Sequence, residues 1–249
     1  SAQAPGCAEE RCANLFFAKR ADKTSPFLPQ GDLPGVDLSV AEASEYWPTV
    51  TADGLLLFFE SSRSVGKVDG GYVHDKSRVW TATRPNQIAD FSQPYVQTLF
   101  QATPEPEGSP YLHPNGRSLY FMSAGRGGKG SLDLFVAELN EFGGATSVTN
   151  LSSVNTAQAE SAPVVTSDDL VLYFAREDAT HWRRIWRSTR PHPSALFGPP
   201  TPVDELDSAI VGREEFPTWV SPDHCRIYFV SNRPVAGDST YRLWVAARP

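Results

Sequence analysis

An all-β fold is what this sequence predicts, and three observations predict it. The 249 residues include 21 Pro and 18 Gly against one Met, with 11% aromatics, a balance suited to many short strands joined by tight turns. A Glu-x-x-Pro unit recurs four times, as Glu45/Pro48, Glu107/Pro110, Glu160/Pro163 and Glu214/Pro217, and its prolines are 62, 53 and 54 residues apart (110−48, 163−110, 217−163). After each proline come a polar turn and an aromatic pair, at matching offsets in the first three copies and one residue later in the last.

Taken in chain order, residues 1–13 read as a tail and residues 14–249 as one repetitive domain. The tail opens on small residues, Ser1-Ala2-Gln3-Ala4, which suit the end of an exported precursor, and Ala4-Pro5-Gly6-Cys7 loosely matches a lipoprotein cleavage box, so lipid anchoring at Cys7 is a minor alternative. Next comes an apolar-aromatic pair followed by a small residue and an Arg: Leu15-Phe16 with Ala18 and Arg20. The same element returns as Val79-Trp80 with Ala82 and Arg84, Ile185-Trp186 with Ser188 and Arg190, and Leu243-Trp244 with Ala246 and Arg248; Leu134-Phe135 with Ala137 lacks the Arg. A further element begins at Phe27, Phe91, Phe142 or Phe197 and carries prolines in three copies, which suits an outer edge strand.

Each Glu-x-x-Pro unit leads into a hairpin. The turns are Asp53-Gly54, Asn115-Gly116, Asp168-Asp169 and Asp223-His224, residues that tolerate the positive φ of type I′ turns. The returning strands carry Phe58-Phe59, Tyr120-Phe121, Tyr173-Phe174 and Tyr228-Phe229. One repeat is therefore four strands: a hairpin, the apolar-aromatic strand and the proline-bearing edge.

Such a sheet cannot bury both faces alone, so copies must stack, and radial stacking of four-stranded antiparallel sheets is a β-propeller. The chain starts in the third and fourth elements and stops after a third. That offset lets the N-terminal strand, around Phe27 to Leu38, complete the C-terminal sheet around Phe216 to Arg248 and close the ring. Four blades follow most directly, and the surplus third element at Leu15-Phe16 leaves five open.

The segments SPYLHPNGRSLYFMSAG with SLDLFVAEL, and FPTWVSPDHCRIYFVSNRP with YRLWVAARP, resemble the WD-like β-propeller repeats of TolB and its exported bacterial relatives. The resemblance covers roughly residues 14 to 249. It implies a propeller, export to the periplasm or beyond, and a role in binding other molecules, and it does not extend to the separate N-terminal α/β domain of TolB.

Formal charge is −7 with a sequence pI near 5.3 and no basic stripe, which argues against nucleic acid as a partner. No stretch reaches the roughly 18 to 20 apolar residues of a membrane-spanning helix. A monomer engaging a protein, peptide or cell-envelope ligand is expected. Cys7, Cys12 and Cys225 cannot all pair within one chain, and their spacing is not that of a structural zinc site. One disulfide would suit an oxidising compartment.

In propellers of this resemblance, the first strand of each blade lines the channel. Two sets of side chains then converge on one loop face: Glu45, Glu107, Glu160 and Glu214, and Arg63, Arg126, Arg176 and Arg233. Counting back from the turn gives Glu215 in the last repeat where counting from proline gives Glu214, and either fits. Four carboxylates about one axis need compensation, from a divalent cation such as Ca²⁺ held by Glu45, Glu107, Glu160 and Glu214, from the arginines, or from backbone N–H groups. The long connection SVGKVDGGYVHDKS, residues 64–77, and EDATHWRR, residues 177–184, add Tyr72, His74, His181 and Trp182 to that face as a recognition surface.

His113 and His224 flank turns on the opposite face and are expected to be solvated, while Trp80, Trp186 and Trp244 are expected between sheets. The Gly-rich AGRGGKGS segment reads as a strand connection, because Lys129 is followed by Gly130 and no helix follows. No enzyme signature stands out, neither Gly-x-Ser-x-Gly nor His-Glu-x-x-His. The alternative to a binding protein is a polysaccharide hydrolase or lyase using two of the glutamates as acid and base.

Overall fold

The structure is a computed structural model that describes residues 13–22, 24–40, 43–63, 67–68, 71–72, 76–178, 183–208 and 210–248, with 67–68 and 71–72 as backbone only. Chain contacts divide it into two compact units, Ser1–Gly108 and Ser109–Pro249. Among the described residues, helix is confined to two 3₁₀ turns, Thr98–Gln101 and Asp204–Leu206. The rest of the regular structure is antiparallel sheet.

In the first unit, β1 (Phe16–Lys19) pairs with β2 (Leu28–Asp32), and β3 (Glu45–Val50), β4 (Leu56–Ser61) and β7 (Arg78–Thr83) form a three-stranded sheet. A two-stranded ribbon, β5 (Lys67–Val68) with β6 (Gly71–Tyr72), lies within the long connection between β4 and β7. Then β8 (Glu107–Leu112), at the boundary of the units, opens a four-stranded sheet with β9 (Ser118–Ser123), β10 (Asp133–Leu139) and β11 (Ala145–Asn150). A second four-stranded sheet holds β12 (Glu160–Val165), β13 (Val171–Arg176), β14 (Arg184–Thr189) and β15 (Thr201–Pro202). The last sheet has three strands, β16 (Glu215–Val220), β17 (Arg226–Ser231) and β18 (Arg242–Ala247).

One expectation is corrected here. Leu28–Asp32 does not add a fourth strand to the C-terminal sheet; it pairs with Phe16–Lys19, with Phe16 opposite Asp32 and Lys19 opposite Leu28. The connection from Arg20 to Phe27 is short, and Arg20 stacks 4.7 Å from the Phe27 ring centroid, so the third element captures its own fourth.

Within the second unit the sheets pack face to face, with β12 against β9 on one side and β16 on the other. Alternate residues supply the interfaces, as strand pleating requires: Tyr120, Leu134, Val164, Leu172 and Phe174 meet in one core, and Ile185, Val203, Leu206 and Phe229 in the next. Trp186 and Trp244 pack against these cores as expected.

The Glu-x-x-Pro spacing has a local cause. Pairing of β3 with β4 skips between Tyr46 and Thr49, and pairing of β12 with β13 skips between Ser161 and Val164, so Pro48 and Pro163 fall inside a bulge where no ladder N–H is needed. The residue before Pro48, Pro110 and Pro163, that is Trp47, Ser109 and Ala162, has φ near +50°. In the last copy the skip moves to between Pro217 and Trp219, one position later relative to proline. That shift explains why counting from proline and counting from the turn disagree.

The hairpin turns differ from the type I′ expectation. Only the second residue of each turn dipeptide has positive φ: Gly54, Gly116, Asp169 and His224. The first residue uses its side chain instead, as Thr51 Oγ1 donates to Asp53 Oδ1 at 2.6 Å while the same oxygen accepts from Leu55 N–H at 3.0 Å. The pattern repeats with Thr166, Asp168 and Leu170. These are four-residue turns held by an Asx-type bond.

Candidate functional site

Glu45, Glu107, Glu160 and Glu215 each open the first strand of a sheet, and an arginine meets the carboxylate at Glu45, Glu160 and Glu215. Glu45 Oε1 accepts from Arg63 Nη2 at 2.9 Å and from Ser61 Oγ at 2.9 Å. Glu160 Oε1 accepts from Arg176 Nε at 2.8 Å and from Thr156 Oγ1 at 2.5 Å. In the last sheet the partner of Arg233 Nη2 is Glu215, at 3.4 Å, with Ser231 Oγ at 3.3 Å. The register agrees, since Glu215 faces Ser231 as Glu45 faces Ser61.

The arginines do more than balance charge. Arg63 lies 5.3 Å from the Phe59 ring and 5.2 Å from Trp80; Arg233 lies 5.0 Å from Phe229 and 5.2 Å from Trp244. Arg176 repeats this over Phe174 at 5.1 Å and Trp186 at 4.5 Å, although it sits directly opposite Glu160 where the other copies have serine. Each guanidinium also donates to a carbonyl of the incoming connection: Leu38 at 2.5 Å, Val154 at 2.6 Å and Leu206 at 2.5 Å. One side chain thus ties together the start of strand one, the ends of strands two and three, and the linker before the sheet. Planar, always charged guanidinium is the group suited to that role.

Glu45, Glu160 and Glu215 are buried, as are Arg63 and Arg176. Burial pushes the Glu45 carboxyl above its usual range against the pull of Arg63, and burial does the same at Glu160 against its bonds from Thr156. Glu107 is buried where β8 begins, its N–H donating to the Ser77 carbonyl at 3.0 Å, and Arg126 lies 5.4 Å from the Phe121 ring. Among the described residues no group of three or more His, Cys, Asp or Glu side chains gathers as a metal site.

Glu214 has a different place. It accepts from Arg183 Nη1 at 3.0 Å and from the Tyr241 hydroxyl, and Arg183 and Tyr241 both lie over Phe216, at 5.7 Å and 6.4 Å. Tyr241 is exposed, and burial of its hydroxyl end raises its pKa. Arg183 belongs to the connection at residues 177–184. His74, His181 and Trp182 lie outside the described residues, as does the Tyr72 side chain.

Sequence reasoning missed Arg183, Tyr241 and the hydroxyls of Ser61, Ser231 and Thr156. The Ser-x-Arg spacing of Ser61/Arg63 and Ser231/Arg233 was the available signal for the hydroxyls. His113 also departs from expectation: it is buried, with Nε2 3.1 Å from the Thr166 carbonyl and Nδ1 accepting from Asn115 N–H at 3.2 Å. The AGRGGKGS connection is confirmed as such, because the Lys129 and Gly130 N–H groups bind the Asp133 carboxylate at 3.0 and 3.1 Å, and a Cβ at Gly128 would stand 1.9 Å from that carboxylate. Cys225 is an exposed free thiol in the turn before β17.

No family model matches the chain, and comparison with curated proteins finds no match. Solved structures do. A xylan β-1,4-xylosidase from Bacillus halodurans C-125 superposes with TM-score 0.59 at 11% identity, over 95% of this chain and 49% of that one. The Bacteroides ovatus xyloglucan PUL GH43B protein gives 0.51 at 13%, over 89% and 45%. A putative TolB from Agrobacterium tumefaciens gives 0.50 at 16%, over 88% and 65%. The chain spans less than two thirds of each of these proteins, and at such identities the likeness shows a TolB-like propeller fold and nothing about activity.

Proposed function

We propose that this chain is a non-catalytic binding propeller, exported to the periplasm or cell exterior, that engages a protein, peptide or cell-envelope ligand as a monomer through one loop face. Its sheets from β3 to β18 would be four blades, with β1 and β2 a fifth, incomplete one. The observation that carries the reading is the division of the glutamates. Glu45, Glu160 and Glu215 are bonded to arginines at the ends of their own second strands, so they brace blades, while Glu214, buried as they are, joins Arg183 and the exposed Tyr241 beside the 177–184 connection.

An aromatic ring, a cation and an anion within reach of one another suit a polar ligand that also offers apolar surface. The hydrolase alternative needs a carboxylate pair open to substrate, and the repeat glutamates tied to arginine do not offer it. Selection from a displayed peptide library and from soluble envelope glycans tests the reading. Ligands so obtained should bind the intact chain and lose at least tenfold in affinity with Tyr241→Ala or Glu214→Arg. Turnover of an oligosaccharide, abolished by one Glu→Gln substitution with folding unchanged, would establish the enzyme instead.

A further inference from the structure

Two hairpin turns of the second unit bring a hydroxyl, an imidazole and a carboxylate together. The turn between β12 and β13 reads Thr166-Ser167-Asp168-Asp169, and that between β16 and β17 reads Ser221-Pro222-Asp223-His224. Ser167 Oγ lies 3.2 Å from His224 Nε2, and Asp168 Oδ2 lies 3.7 Å from His224 Nδ1. Nucleophile, base and carboxylate thus stand in order around one imidazole. Asp168 is placed by its own turn: its Oδ1 accepts from Thr166 Oγ1 at 2.6 Å and from Leu170 N–H at 3.1 Å, which leaves Oδ2 to face the ring.

The repeat itself requires neither Ser167 nor His224. Ala52, Pro114 and Pro222 stand where Ser167 stands, and Gly54 and Gly116 stand where His224 stands. His224 has φ of +57°, a left-handed backbone that glycine adopts freely and histidine at a cost. Asp169 shares that position and has a structural reason for it, because its carboxylate holds the Tyr120 hydroxyl at 2.9 Å and Arg190 Nη2 at 2.6 Å. The His224 ring meets Ser167 and Asp168 instead. A residue held in costly backbone with its ring aimed at a hydroxyl points towards function.

The carboxylate beside Nδ1 favours the tautomer with its proton there, so Nε2 is left to accept from the Ser167 hydroxyl. The Pro222 carbonyl, at 3.3 Å from Ser167 Oγ, is the competing acceptor, and of the two only the imidazole can carry the proton off. Ser167 and Asp168 are exposed and His224 is half-buried, so an electrophile reaches Oγ from solvent. Among the described residues the Ser167 N–H bonds no other group, and it is available to an oxyanion formed at that serine.

We propose that Ser167 is an acyl acceptor, activated by His224 and oriented through Asp168, that takes its acyl group from an activated ester. The bond from Oγ to the acyl carbon forms as the bond from that carbon to the leaving oxygen breaks. The Ser167 proton passes to His224 Nε2 and then to the departing oxygen, while Asp168 faces the imidazolium. The products are an ester on the chain and a free alcohol or phenol, with nothing oxidised or reduced. This modification site uses none of the residues of the loop-face reading and stands without it.

A biotinylated fluorophosphonate tests the assignment: its phosphonyl group takes the place of the acyl group on Oγ, and fluoride leaves. The full chain is labelled, the modified peptide is mapped by mass spectrometry, and release of 4-nitrophenolate from 4-nitrophenyl acetate is followed in parallel. The label is expected at Ser167 and absent in Ser167→Ala. His224→Gly, which restores the residue of the first two copies, should unfold at no lower temperature yet label about a hundredfold more slowly. Added imidazole should restore its labelling, a rescue that a structural role of the ring would not give. Asp168→Asn keeps the Asx bond, as Asn115 does with Arg117 N–H at 2.8 Å; it should slow labelling several-fold and leave the imidazole-rescued rate of His224→Gly unchanged. Label found only at Cys225 or at tyrosines, labelling indifferent to His224→Gly, or nitrophenolate release equal in the parent chain and Ser167→Ala overturns the proposal.

Discussion

An arginine held between two aromatic rings and a buried glutamate recurs at residue level, and it solves a burial problem. A buried carboxylate is costly unless it is paired and hydrogen-bonded, and Arg63 and Ser61 provide this at Oε1 of Glu45. The pattern was legible in the sequence as a repeated Glu and a repeated Arg. The partner in the last copy was not, because the bulge slips one position past Pro217 and only the register with Ser231 selects Glu215. Arg176, which the sequence placed in the set, reaches the same site from a backbone position two residues earlier relative to the aromatic pair. The turn aspartates have the opposite electrostatics. Side-chain bonding from Thr51, then the Leu55 N–H, holds Asp53 below its ordinary 3.8, and Ser221 with the Cys225 N–H does so for Asp223. Because these folded-state values lie below the unfolded ones, their contribution is present above about pH 4 and is lost as pH falls further. Denaturant titrations across pH 2 to 6 should therefore show a shallower acid loss of stability in Asp53→Asn/Asp223→Asn than in the parent chain, whereas an unchanged profile would remove the turns from the acid response.

The hairpin is the element on which the repeat turns, and its residue choices follow from one backbone position. Gly54 and Gly116 have φ of +72° and +70°, a conformation that costs an L-residue about 1–2 kcal/mol. Their surroundings differ. A Cβ at Gly116 meets nothing within 4 Å, while one at Gly54 would stand 3.0 Å from Arg84 Nη2, the arginine whose Nε donates to the Gly54 carbonyl at 2.6 Å and which stacks 4.5 Å from Phe91. Both Gly→Ala variants should lose about 1 kcal/mol from the backbone, and Gly54→Ala should lose more, because Arg84 must move. Equal losses in chemical denaturation would deny Arg84 that role. This second arginine brace was visible in sequence only as an Arg five residues after the apolar-aromatic pair begins. Its purpose emerges from Arg190, which bonds the Asp169 carbonyl at 2.7 Å and stacks 4.2 Å from Phe197. Where the Arg is missing, after Leu134-Phe135, Phe142 is exposed. The buried His113 escaped the sequence reading because its contact, the Thr166 carbonyl, comes from the next sheet, and turn flanks are ordinarily solvated.

At the scale of the whole molecule, the repeat made the all-β class and the four-element unit legible, and stacking within the second unit follows from it. Strand pairing at the N-terminus was not, since β2 had two candidate neighbours and only the short Arg20 to Phe27 connection favours its own β1. Nor was the burial state of equivalent positions: Leu134 and Ile185 are buried by a following sheet, while Leu243 at the same position of β18 is 65% exposed. The account's central claim is that the repeat glutamates brace sheets and leave recognition to the variable loops. Equilibrium unfolding of Glu160→Gln and of the double variant Glu160→Leu/Arg176→Met tests it most directly. Removing one partner of a buried pair leaves the other uncompensated, so the single variant should lose about 3–5 kcal/mol, and the apolar double variant should recover most of that loss. A Glu160→Gln protein as stable as the parent, within about 0.5 kcal/mol, would contradict the claim and return this glutamate to the list of groups held for a ligand.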